Sequence, residues 1–157
     1  MSVAFRRESD EEHLEPRFEL PLPPGPNLVT ERGYGLIKTR NAELEALLVA
    51  ETHEERRKEL LRDVRYWRSR LATAQVVPRP DGSKVAVGTI VTLDVGGHSR
   101  VWRIVGHDEG DAASSRVGFA APLARALLGS EVGDEVPLPG SAMATIVQID
   151  VDDPHAP

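Results

Sequence analysis

Two groups of side chains in this sequence are of types that do chemistry when correctly spaced. His107, Asp108, Glu109 and Asp111 gather nitrogen and oxygen donors in one short stretch. That is the donor set of a weak divalent-cation site, but the Asp-x-Asp-x-Asp-Gly spacing of a calcium loop is missing. The stretch reads as a solvated polar loop. Glu51, His53, Glu54 and Glu55 form the second group, an acidic cluster between two helical segments. His13, His98 and His155 are scattered, with no His-Glu-x-x-His and no pair one helical turn apart, so catalytic zinc is not expected. The serines Ser99, Ser114, Ser115, Ser130 and Ser141 lack a nucleophile-elbow context, and Gly96-Gly97 reads as a hairpin turn rather than a phosphate loop. With no cysteine, a thiolate nucleophile, a disulfide framework and every cysteine zinc site are ruled out. No catalytic residue, metal or cofactor is expected.

The elements that must carry these groups follow from residue periodicity. Residues 1–26 are acidic and end in Pro21-Leu22-Pro23-Pro24-Gly25-Pro26, which favours extended polyproline II backbone. This arm reads as a flexible leader, and its Leu14, Phe18, Leu20 and Leu22 could dock on a partner or on the body. A helix is expected from Thr30, a good N-cap, with Ile37, Leu44, Leu47 and Leu48 recurring at helical spacing to about Ala50. Thr52-His53-Glu54-Glu55 has the form of a capping box and predicts an immediate second helix. In it, Leu60, Val64, Trp67, Leu71 and Ala74 make a heptad seam. Two seams separated by so short a link must fold back as an antiparallel hairpin. Its outer face is expected to carry Arg56, Arg57, Lys58, Arg62, Arg65, Arg68 and Arg70 as a solvated basic stripe, paired in part with Glu54 and Glu59.

Beyond Pro78-Arg79-Pro80-Asp81-Gly82 the period changes to two. Val85, Val87, Thr89 and Val91, then Leu93 and Val95, suggest strands, with Gly96-Gly97 turning the chain into Val101-Trp102-Arg103-Ile104-Val105. Val117 to Ala120 reads as a short strand, Pro122 to Leu128 as a short helix closed by Gly129, and Met143 to Val151 as a last strand. The predicted fold class is α+β: an N-terminal antiparallel helical hairpin over 27–77, then a β-sheet domain packed on a short helix over 78–157.

Charge is uneven. The net of −6 divides into −3 for residues 1–26 (three basic, six acidic), +2 for 27–77 (ten, eight) and −5 for 78–157 (six, eleven). A basic middle segment hints at a polyanion or an acidic protein surface as partner, whereas the global balance argues against tight duplex DNA binding. No apolar run approaches the roughly 18 residues of a membrane span, and the amino end shows no apolar stretch of signal-peptide length. A cytoplasmic, monomeric protein with no membrane contact is expected.

The order and spacing of several stretches resemble the Gre transcript-cleavage factors of bacteria. They are Val87-Gly88, Ile104-Val105-Gly106 with Asp108-Glu109 and Asp111, Pro122 to Gly129, and Gly133-Asp134. Leu28-Val29-Thr30-Glu31-Arg32-Gly33-Tyr34 looks like the family's helix opening, and Leu71 to Val77 like its exit from the hairpin. The resemblance covers about residues 28 to 150. It implies an FKBP-like second domain that docks at the rim of the RNA polymerase secondary channel while a coiled coil enters it, with nucleic acid contacted only inside that complex. The family's docking loop falls on Ala121, Pro122, Leu123 and Arg125, where the proline is kept and the polar residue before it is replaced by alanine.

The hairpin tip departs from the family. Gre factors carry a Gly-Asp-x-Ser-Glu-Asn segment whose carboxylates help hold magnesium, and this sequence has none. Its tip offers Glu51, His53, Glu54 and Glu55 instead. The hairpin is about two dozen residues shorter than the family form, so the tip would stop ~18 Å short at 1.5 Å per residue. The resemblance therefore implies a polymerase regulator without transcript-cleavage stimulation, and not an enzyme. The alternative, an FKBP-like peptidyl-prolyl isomerase, needs an aromatic-lined cleft. The second domain offers only Trp102 and Phe119, which are expected in the core.

Overall fold

The computed structural model describes residues 19–155. The expectations for His13, Leu14 and Phe18 and for the rest of residues 1–18 lie outside the described residues. In chain order the elements are β1 (Leu28–Val29), α1 (Glu31–Ala50), α2 (Glu54–Thr73), β2 (Gln75–Val76), β3 (Thr89–Val95) and β4 (His98–Val105). Two 3-10 turns, His107–Glu109 and Ala112–Ser114, lead to β5 (Arg116–Gly118), α3 (Pro122–Leu127), β6 (Glu135–Pro137) and β7 (Met143–Val151). Helical hairpin, hairpin-linked strands, short helix and final strand all follow the sequence reading, and the fold class is α+β.

Contacts divide the chain into two compact units. One comprises Lys38–Ala72 with the segment up to Gly25; the other comprises Pro26–Ile37 and Thr73–Pro157. This division differs from boundaries drawn at 26/27 and 77/78. The start of α1 goes with the sheet unit because β1 pairs in parallel with β2, Leu28 opposite Gln75 and Val29 opposite Val76. No hydropathy pattern foretold that two-residue pairing.

In the first unit, Leu44, Leu60 and Val64 are buried, and Leu48 and Trp67 pack against them. The seam forms at the heptad positions Leu60, Val64 and Trp67, whereas Ala74 lies past the end of α2 and neither it nor Leu71 is among the residues of this cluster. Leu47 and Arg70 differ from expectation. Leu47 is 52% exposed, because it stands one residue before the seam position Leu48, and one residue along a helix turns a side chain about 100°. Arg70, expected on the solvated stripe, is 4% exposed. Asn41 occupies the seam between Ile37 and Leu44 and is 9% exposed, and its Oδ1 has no hydrogen-bond partner among the described residues. Tyr66 meets Trp67 edge to face, with ring centroids 5.2 Å apart.

The second unit is built on a five-stranded sheet in the order β5-β4-β3-β7-β6. β4, β3, β7 and β6 pair antiparallel in turn, whereas β5 runs parallel to β4. Gly96 and Gly97 take φ of 58° and 82° in the β3–β4 hairpin, the left-handed pair that a two-residue turn requires. Asp94 Oδ1 accepts the Gly97 amide at 2.9 Å. One sheet face buries Val91, Leu93, Ile104 and Ile146 with Ala124 and Leu127 of α3. Val85 and Val87 join this core although the strand starts only at Thr89: their alternation marked burial, and the chain bends at Gly88 with φ 96°. The strand expected from the alternation that begins at Val85 starts instead at Thr89 and runs through Leu93 to Val95.

Candidate functional site

The polar loop after β4 contains the chemistry that the spacing did not foresee. Glu109, expected in a solvated loop, is 7% exposed. Its Oε1 accepts the Thr30 hydroxyl at 2.7 Å, and its Oε2 accepts the Gly106 amide at 2.9 Å. The Thr30 amide lies 3.5 Å from the same Oε2. Thr30 is simultaneously the N-cap of α1: its Oγ1 accepts the Gly33 amide at 3.0 Å while its carbonyl accepts the Tyr34 amide. A negative carboxylate at this helix start also complements the helix dipole. The approach is close enough that a Cβ on Gly33 would stand 2.3 Å from Glu109 Oε2. Glycine is therefore required there by space rather than by backbone angle. A buried carboxylate with hydroxyl and amide donors is satisfied, so Glu109 is a structural clamp within the sheet unit. Asp111 is likewise occupied, accepting the Ala113 amide at 3.1 Å and the Ser114 hydroxyl. Among the described residues no three His, Asp or Glu side chains are grouped to hold a metal ion.

The loop at α3 is laid out as its sequence suggests. Ala121 is the N-cap residue in extended conformation and Pro122 opens the helix. Pro122 and Arg125 are exposed, while Ala121 and Leu123 are half-buried. Leu123 packs against the sheet core, so its side chain anchors the loop and leaves Pro122 and Arg125 facing outward.

The hairpin tip is a three-residue link, 51–53, between α1 and α2. The Thr52–Glu55 capping box is not made. Glu51 Oε1 takes the His53 amide at 3.0 Å and the His53 carbonyl accepts the Arg57 amide, so α2 starts two residues after Thr52. Arg57, expected on the solvated stripe, instead donates Nη1 to the carbonyls of Leu48 and Glu51 at 2.8 and 3.1 Å. It thereby ties off the free end of α1, which has no basic residue in its own last turn. Glu54 and Glu55 remain exposed, 4.0 and 3.5 Å from Lys58 Nζ. At those distances and exposures the pairs contribute little. Glu51 and His53 belong to the turn, and Glu54 and Glu55 present the outward charge.

In the sheet unit a cleft of about 240 Å³ is lined by Thr30, Arg32, Val77, Pro78, Pro80 and His155, among others. No Trp, Tyr or Phe lines it. Trp102 and Phe119 pack against the sheet core, as expected of core rings. No helix of the described residues is long and apolar enough to cross a membrane.

A helical hairpin joined to a curled sheet that carries one short helix, with exposed charge at the hairpin tip and Pro122 and Arg125 exposed on the short helix, defines a two-unit α+β protein. Residues 79–150 match the family model described as transcription elongation factor, GreA/GreB, C-term. The chain is 38% identical over 118 residues to the transcription elongation factor GreA of Mesorhizobium japonicum, covering 71% of each chain. It is 36% identical over 110 residues to the GreA of Agrobacterium fabrum, covering 66% of each. This chain belongs to the GreA/GreB family of transcription elongation factors, and it spans about two thirds of the length of these relatives. The solved structure of GreA factor homolog 1 (Gfh1) of Thermus thermophilus aligns over 80% of this chain and 99% of that one, at 18% identity and a TM-score of 0.41. A score that low adds nothing to the assignment.

Proposed function

We propose that this protein binds RNA polymerase through the α3 edge of its sheet unit, with Ala121, Pro122, Leu123 and Arg125 at or beneath the contact, and presents its hairpin at the secondary channel without stimulating transcript cleavage. The observation that carries the second half is the tip itself. Two 20-residue helices, about 30 Å each at 1.5 Å per residue, close over three residues whose one partly covered carboxylate, Glu51, is engaged by its own turn. Glu54 and Glu55 are outward but lie within the first turn of α2, flanked by Lys58. Magnesium-assisted hydrolysis needs carboxylates free to enter the metal's coordination sphere, and a short tip spends its reach before offering them. The reading is that of a cytoplasmic monomer acting as a regulator of polymerase rather than an enzyme. Its domain scheme is an arm over 1–26, a coiled coil over 27–77 and a docking domain over 78–157.

The test is a pull-down of purified core RNA polymerase by the wild-type chain and by Pro122→Asp, followed by RNA cleavage in backtracked complexes. Binding that the variant loses, with no cleavage, is the expected result. Cleavage stimulated by the wild-type chain, and lost when Glu54 and Glu55 are both replaced by alanine, would overturn the non-cleaving half. Failure of the wild-type chain to bind polymerase would remove the proposal.

A further inference from the structure

The link from β2 to the sheet core passes through Pro80-Asp81-Gly82-Ser83. Asp81 is the one aspartate in the sequence that glycine follows. Its side chain is exposed, and its Oδ1 accepts two hydrogen bonds from Ser83, the amide at 2.9 Å and the hydroxyl at 2.7 Å. A side-chain acceptor two residues before its backbone donor is an Asx turn, which folds the carboxyl back over the intervening peptide, here that of Gly82. Gly82 has φ of 84°, which glycine adopts without steric cost, and it has no Cβ to screen its amide. Two opposed effects meet at this bond. The turn holds Cγ near the Gly82 nitrogen, which favours closure of a five-membered ring. The same hydrogen bonds favour the ionised carboxylate and hold it below its ordinary pKa, the hydroxyl first and the amide after it. An ionised carboxylate is a poor electrophile, because its departing oxygen carries no proton.

We propose that Asp81–Gly82 is a site of spontaneous isomerisation through a cyclic imide, and that the Ser83 hydroxyl is the group that holds it back. In the step itself the Gly82 nitrogen gives up its proton and attacks Cγ of the protonated carboxyl. The N–Cγ bond forms, the Cγ–OH bond breaks, and the departing hydroxide takes up the proton that the nitrogen gave, so that one water leaves. Hydrolysis returns a water at either carbonyl of the imide. One route restores aspartate; the other joins Gly82 through Cβ and Cγ and lengthens the backbone by one methylene. Asp94 and Asp111 supply the contrast. Asp94 accepts the Gly97 amide, and Asp111 the Ala113 amide and the Ser114 hydroxyl. Val95 and Ala112 come next in sequence, however, and their Cβ atoms stand beside the nitrogen that would attack. Beyond the turn, buried Val85 exchanges backbone hydrogen bonds with Gly129 and Ser130 at 2.8 and 2.9 Å, so the exposed link must absorb the added methylene.

The test holds the full chain at neutral pH and raised temperature and reads isoaspartate by mass spectrometry with electron-transfer fragmentation. Isoaspartate is expected to accumulate at Asp81 and not at Asp94 or Asp111. Ser83→Ala should accumulate it severalfold faster, and Ser83→Thr, which keeps a hydroxyl, should stay close to the wild-type rate. Asp81→Glu, whose ring would have six members, should form none. In an Asp81→Asn background the side chain is uncharged and loses ammonia through the same imide, so Ser83→Ala should change that rate much less. Both Asp81 and Ser83 are exposed, so these variants keep the fold. No isoaspartate at Asp81 in Ser83→Ala would overturn the site. Equal rates with and without the hydroxyl, or the same acceleration in the asparagine background, would overturn the restraint.

Discussion

Thr30 and Glu109, 79 residues apart in sequence, share a 2.7 Å hydrogen bond in which the hydroxyl that caps α1 donates to a buried carboxylate. One side chain thereby starts a helix and fastens it to the loop after β4. The bond lies wholly within the sheet unit, which explains why the opening turn of the helix partitions with the sheet rather than with the rest of the hairpin.

Replacing Glu109 with alanine leaves the Thr30 hydroxyl and the Gly106 amide without their acceptor. Each buried donor so orphaned costs about 1–3 kcal/mol, so a loss of ~2–4 kcal/mol is expected from urea denaturation. Thr30→Val keeps the shape but removes both the donor to Glu109 and the N-cap acceptor of the Gly33 amide, so it should cost at least about 1 kcal/mol. A double-mutant cycle should show the two losses strongly non-additive; simple additivity would mean the bond contributes nothing of its own.

Two glycines of α1 should respond oppositely to alanine. At Gly35 a Cβ meets nothing within 4 Å, so Gly35→Ala should raise stability by about 0.5–1 kcal/mol through helix propensity alone. At Gly33 the same change drives a Cβ into the Glu109 carboxylate, and the clash should outweigh the propensity gain. Thermal melts of the two variants on either side of the wild-type midpoint are the expected outcome; equal shifts would refute the close approach.

The two carbonyl contacts of Arg57 make it a cap for the helix before its own. Arg57→Ala should cost about 1–2 kcal/mol and speed amide exchange in the last turn of α1, at Leu48 to Glu51. Arg56→Ala, which breaks only the exposed pair with Glu59, should change stability by less than about 0.5 kcal/mol. Equal effects of the two would remove the capping role.

The Ser83 hydroxyl, and after it the Ser83 amide, hold the Asp81 carboxyl below its ordinary value of 3.8. A depressed folded-state value means a stabilising contribution that is complete above the ordinary carboxylate value and is lost as pH falls through the folded one. Ser83→Ala removes the larger cause, so the carbon-13 titration of Asp81 should move upward toward 3.8. An unmoved titration would show that the hydroxyl has no part in it.

Most of the architecture was legible because it is written in local periods. Leu60, Val64 and Trp67 announced the seam, Gly96-Gly97 the hairpin, and Pro122 with Gly129 the limits of α3. Such signals depend on a residue and its near neighbours, where steric and burial preferences act directly. The order and spacing of Val87-Gly88, Pro122 to Gly129 and Gly133-Asp134 also carried the family.

What the tertiary structure decided were the partners of polar and charged groups. Nothing near Glu109 in sequence distinguishes a buried clamp from a solvated loop, since its acceptor role is defined by Thr30 on a distant segment. Arg57 and Arg70 look like their neighbours on the basic stripe, yet one caps α1 and the other is buried. The β1–β2 pairing is too short to show a period. By itself, then, the sequence determined which residues are apolar, where the chain turns and which family it joins. Which charge meets which donor was left to the packing, because an ion pair or hydrogen bond is set by distances across the fold that no run of adjacent residues encodes.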